Sequence, residues 1–174
     1  MRASGRLDDE EFAALIAEQA DRIRATFGHL PVWAVEDWTG GRLVSEWIFE
    51  GGPHCLSFAP SSARLDGAPS VTTRTSLGEP RHDIAGLLGR EAPVRPIELL
   101  PPPSRIAEIE VDGAREPFEV WEAPGVTRAA ASVRGHALTL ECRGLVLDEL
   151  VLTEVDDIEP FVEGRLAMIA ASRD

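Results

Sequence analysis

The stretch ALTLECR, residues 137–143, decides how this chain is read. Leu138, Leu140 and Cys142 alternate with Thr139, Glu141 and Arg143, so an extended backbone carries one apolar face and one polar face. Just before it, Gly135 can take the positive φ that a tight hairpin requires. Across that turn Thr127 to Val133 predicts a partner strand, whose Ala129, Ala130 and Ala131 let a neighbouring strand come close. Further outward, Pro124-Gly125 marks a turn, Glu116 to Glu122 a strand with Phe118 and Val120 on one face, and Asp112-Gly113 a turn preceded by the strand Ile106 to Val111.

On the other side, Leu150 to Val155 is one more apolar run. Asp156 and Glu159 then form a D-x-x-E helix start with Asp156 as the cap, and Ile158, Phe161, Val162, Leu166 and Ile169 follow at helical spacing. Pro160 falls early enough to be tolerated. The region from Arg105 to Ala171 therefore reads as an antiparallel meander closed by an amphipathic helix.

The first half repeats these ingredients in another order. Four acids crowd the start of a helix predicted over Asp8 to Phe27, where the helix dipole favours anions. Phe12, Leu15, Ile16, Ala20, Ile23 and Phe27 form its apolar stripe, and Gly28 ends it. Strands follow over Val32 to Trp38 and Leu43 to Glu50, with turns at Thr39-Gly40-Gly41 and Gly51-Gly52-Pro53, then His54 to Phe58. Val71 to Ser76 is a Thr-rich strand expected at a sheet edge, and Arg81 to Gly89 a short helix capped by Asp83. Residues 92–104 hold five prolines and read as an extended connector. The expectation is an α+β fold over residues 1–174: mostly antiparallel sheet, with an N-terminal and a C-terminal amphipathic helix packed on it. It is a single domain with two sub-halves, 1–91 and 105–174, joined by the proline-rich segment.

Composition narrows the function classes. At 44% apolar and 27% charged residues the chain has a globular composition. Its net charge is −13, from 30 acids against 17 bases, and all the bases are arginine. Phosphate neutralisation requires a basic face, so nucleic acid is not expected as a partner. No apolar run reaches membrane-spanning length and the N-terminus carries no apolar leader core, which makes a cytoplasmic location the expectation and a membrane partner unexpected.

Catalytic signatures are sparse. Cys55 and Cys142 belong to no C-x-x-C motif and read as small buried hydrophobes. No serine lies in a G-x-S-x-G elbow, and the paired glycines fit hairpins rather than phosphate loops. His54, His82 and His136 lack metal-ligand spacing, so neither a metal nor a cofactor is expected. Glutamates at 108, 110, 119, 122, 141 and 154 alternate as on the solvated face of a half-buried sheet. The leading expectation is a non-catalytic protein-interaction or regulatory module with an acidic surface, working as a homodimer or with a protein partner. The competing expectation is a small-molecule-binding protein or enzyme whose pocket is lined by Trp33, Trp47 and His54. Enzymatic activity is left undecided, with the weight against it.

Overall fold

The computed structural model describes residues 9–28, 30–35, 47–52, 55–60, 69–89, 100–159 and 162–163. Helix α1 (Asp9–Phe27) precedes strands β1 (Trp33–Val35), β2 (Trp47–Gly52), β3 (Cys55–Pro60) and β4 (Ser70–Ser76). Helix α2 (Pro80–Gly89) follows, then β5 (Arg105–Val111), β6 (Ala114–Ala123), β7 (Val126–Val133), β8 (His136–Arg143), a 3-10 turn (Leu147–Glu149) and β9 (Val151–Glu154). All nine described strands join one sheet in the order β1-β9-β5-β6-β7-β8-β4-β3-β2.

The seven strands from β1 to β4 in that order curl into a nearly closed, barrel-like wall. At the seam the Thr73 hydroxyl donates to the Trp33 carbonyl oxygen at 2.7 Å, tying β4 to β1. β3 and β2 continue the order beyond β4. Strands from before and after the proline-rich segment meet twice, β1 with β9 and β4 with β8.

Alternation fills the interior. Thr73, Leu140, Ala129 and Val120 stand side by side on β4, β8, β7 and β6. Leu138, Phe118, Ile109, Leu152 and Trp33 are sealed from solvent in the same cluster. Each buried large side chain contributes about 1.5–3 kcal/mol. The small residues of β7 lie beside leucines of β8, so large and small groups interdigitate. Outside the wall, Ile84 of α2 packs with Trp121, Ala130 and Leu100. Around β1 and the start of the C-terminal segment, Phe27 and Ala20 of α1 meet Leu30, Val32, Ile158 and Val162.

Two hairpins are as tight as the sequence implies. Asp112 and Gly113 have φ of 49° and 78°, and Arg134 and Gly135 have 49° and 80°. Both central residues are thus left-handed, the geometry of a two-residue type I′ turn. Gly28 is needed for a different reason, because a Cβ there would run into the Arg24 carbonyl oxygen that its own N–H bonds at 2.7 Å.

Several expectations are corrected. The sheet is mixed, since β9 runs parallel to β5, at Glu110↔Val151 and Val111↔Leu152, instead of extending a simple antiparallel meander. β4 is no edge strand: it lies between β8 and β3. Its buried Thr73 and Thr75 face the barrel interior, and the bond from Thr73 to a main-chain carbonyl lets that polar side chain stay inside. Gly51 and Gly52, expected in a turn, belong to the β2 ladder, with Gly51 opposite Leu56 and Gly52 opposite Cys55. Pro80 opens α2, and the Asp83 carboxylate accepts from the Ser76 hydroxyl at 2.6 Å instead of capping the helix. The helical start at Glu159 is capped by Asp157, whose carboxylate accepts from the Glu159 N–H at 2.9 Å, in place of Asp156. Phe161, Leu166 and Ile169 of the predicted closing helix lie outside the described residues, as do residues 36–46 and 92–99.

Candidate functional site

Several strand ends converge at one mouth of the barrel. β5, β7 and β9 finish there, and β1 begins there, so residues far apart in sequence become neighbours. Asp112, at the tip of the β5–β6 hairpin, is the hub. One of its carboxylate oxygens accepts from the Trp33 indole Nε1 at 3.2 Å and lies 3.0 Å from the Arg134 guanidinium. The other accepts from the Glu154 backbone N–H at 2.6 Å. Arg134, at the tip of the β7–β8 hairpin, also donates to the Glu154 carboxylate at 2.9 Å. The Asp112 side chain is 15% exposed and that of Arg134 is 55% exposed, so the network is wet on one side and sheltered on the other.

Beside this network runs a cleft of about 510 Å³. Phe27, Leu30, Val32 and Ile158 supply its apolar wall, and Arg134, His136 and Glu154 its polar rim. The Nδ1 of His136 lies 3.2 Å from the Arg134 carbonyl oxygen. With its proton on Nδ1 the ring donates to that carbonyl, and Nε2 is left as an acceptor.

The opposite mouth is built differently. Leu147 opens the 3-10 turn, Leu150 follows it, and both are buried in the barrel core. Above them Arg105 makes a two-pronged contact with Asp148, at 2.8 and 2.7 Å, and a third bond to Glu122 at 2.9 Å. Hydrogen bonds from Arg105 hold the Asp148 carboxyl below its ordinary range, and the pairing raises Arg105 in turn. On the outer wall Arg81 likewise lowers the Glu119 carboxyl through a direct hydrogen bond. Burial pushes the Cys142 thiol up to about 12, with the Glu141 charge adding to it. That leaves the sulfur a neutral core group at physiological pH.

Of the residues singled out from sequence, Trp33 is fully sealed, with its indole bonded to Asp112 beside the cleft. Trp47 opens β2, at the far end of the strand order from β1, so the two tryptophans are not on facing strands. His54 lies outside the described residues. Asp112 and Arg134 were legible only as turn residues, and His136 and Glu154 as an isolated histidine and one carboxylate of a solvated sheet face. Their signal was two hairpin tips of opposite charge, an Asp-Gly and an Arg-Gly, which says nothing of proximity until the barrel closes. Among the described residues no group of three histidine, cysteine or acidic side chains is placed to hold a metal ion. No described helix is long and apolar enough to cross a membrane. Neither a protein-family model, nor a curated protein, nor a solved structure matches the chain.

Proposed function

We propose that the protein is a non-catalytic interaction module and that the cleft at the Asp112 mouth receives a protein partner. The observation that carries this reading is the commitment of the charged groups there. Both oxygens of Asp112 are occupied by Trp33, Arg134 and Glu154, and Glu154 is itself paired with Arg134. A general acid or base needs a group free to exchange its proton with a substrate. These carboxylates instead hold two hairpins and β9 in place, which makes a rigid platform beside an apolar wall.

The partner fits as a segment with an apolar anchor for the Phe27–Leu30–Ile158 wall and basic residues around it. A net charge of −13 favours such a segment during approach. A second copy of the chain belongs to the same proposal. With β4 internal, a homodimer would form through α1, where Phe12, Leu15 and Ile16 are only half-buried. The acidic surface, the regulatory role and a cytoplasmic setting are parts of this reading. A small-molecule ligand is the second reading. It is favoured by the cleft volume, which lies in the range of about 300–1,000 Å³ typical of ligand sites. A pocket that includes Trp47 and His54 would extend that site.

The test is affinity capture from host lysate with wild type and with His136→Glu, whose side chain lies on the rim and is only half-buried. A protein retained by the wild type and lost from an equally stable variant supports the module. A partner set that the substitution leaves unchanged removes the cleft from the proposal. Light scattering separates a second copy from a different partner.

A further inference from the structure

We propose that Arg74 and Thr139, on the outer wall of the barrel, form a binding site for an oxyanion, the carboxylate or phosphate group of a small ligand. The two residues stand directly opposite each other in the β4–β8 ladder. Thr73 and Thr75 face the interior from β4, and Leu138 and Leu140 do so from β8. Alternation therefore puts Arg74 and Thr139 together on the outer face, as cross-strand neighbours with Cβ atoms about 4.5–5.5 Å apart. This site is on the wall, away from the cleft at the Asp112 mouth.

Both groups are shut away from solvent and unmet. Thr139 is 1% exposed, and its hydroxyl has no hydrogen-bond partner. The Nε of Arg74 is likewise buried without a partner. Native proteins pair nearly all buried polar atoms, and two adjacent exceptions point to a third group that both can reach. The nearby carboxylates are already taken. Glu141 accepts from Arg128 at 2.9 Å and Arg143 at 3.1 Å, and Asp83 accepts from Ser76.

The chain is rich in acids, and yet this half-buried guanidinium is given none of them among the described residues. A water molecule would satisfy the hydrogen bonds and leave the charge uncompensated. An oxyanion answers both, taking the Nε–H of Arg74 on one oxygen and the Thr139 hydroxyl on another, in a charge-assisted geometry that arginine favours. Ala130, the next residue in the same cross-strand row, is covered by Ile84 and Trp121, so the oxyanion enters from the Arg74 side, where the residue is only half-buried.

Thermal melting in millimolar phosphate, acetate or chloride at equal ionic strength tests the site, with wild type, Thr139→Val and Arg74→Met. Thr139→Val keeps the shape and removes the hydroxyl. The expected result is a rise of several degrees in wild-type Tm with phosphate or acetate over chloride, which Thr139→Val abolishes while melting at or above the wild type in chloride, since it buries no unmet hydroxyl. The more effective anion identifies the group. No anion-specific rise, or one that Thr139→Val retains, overturns the proposal. Arg74→Met repeats the test from the charged side, and if it does not fold, the threonine variant decides alone.

Discussion

At one mouth of the barrel, Asp112 gathers a tryptophan, an arginine and a backbone amide around a half-sheltered carboxylate, while at the other Leu147 and Leu150 close the core under an arginine–aspartate pair that faces water. Both mouths show an arginine bound to acids at similar distances. Their surroundings differ. Arg105, Asp148 and Glu122 are 36%, 46% and 53% exposed, so solvent and salt weaken their attraction. The Asp112 carboxylate is mostly buried and accepts from the Trp33 indole and the Glu154 N–H, so removing it strands both donors. Closure is thus polar and specific at the first mouth and apolar at the second, although the ion pairs at the two have similar lengths.

The sharpest way to break that contrast is to empty the first mouth. Trp33→Ala removes a fully sealed side chain and the indole donor to Asp112, and it should lower stability by about 3–5 kcal/mol in urea unfolding. Leu147→Ala should cost about 2–4 kcal/mol, as a cavity in an apolar closure. A larger loss from Leu147 than from Trp33 would reverse the ranking of the two mouths.

Asp112→Ala comes next, at about 2–3 kcal/mol, because it leaves the Trp33 and Glu154 N–H groups unmet and puts alanine at a positive φ. Asp112→Asn keeps an acceptor and tolerates that backbone, so it should recover a good part of the loss. Equal losses for the two variants would mean that charge, and not hydrogen bonding, is what the mouth requires.

The smallest effect is expected from Asp148→Ala, below about 1 kcal/mol and shrinking with added salt. Its pH dependence has a definite sign. The Asp148 carboxyl is held low by Arg105 in the folded protein, so its contribution is present above the unfolded value of about 3.9. It fades as pH falls through the acid range below that. Wild type and Asp148→Ala should therefore converge in stability toward acid pH. A gap that widened on acidification would contradict the pairing.

The meander from β5 to β8 was legible because its information is local. Alternation at Leu138, Leu140 and Cys142, together with Asp-Gly and Arg-Gly between strands, specifies neighbours in sequence that are also neighbours in space. β4 was misread because Thr73 and Thr75 look solvated until a carbonyl across the seam accepts a hydroxyl. β9 was misread because a short apolar run carries no mark of direction, and its parallel partner β5 lies beyond three intervening strands in the chain. The cleft was hidden for the same reason. Trp33, Asp112, Arg134 and Glu154 come from four separate segments, and no periodicity within any one of them encodes the meeting.

The pairing of β4 with β8 also sets a timetable for synthesis. β2, β3 and β4 leave the ribosome early and can form a three-stranded ribbon, but the strand that covers the far side of β4 is made only after α2, the proline-rich segment and β5 to β7. At about 5–20 residues per second that wait lasts several seconds, with the ladder groups of β4 and the inner face of the ribbon open to other chains. β1 waits longer still, until β9 has appeared. A nascent chain of this protein is thus most vulnerable to wrong pairing midway through translation. Pausing or a holding chaperone at that stage should raise the yield of folded protein more than any change in conditions after release.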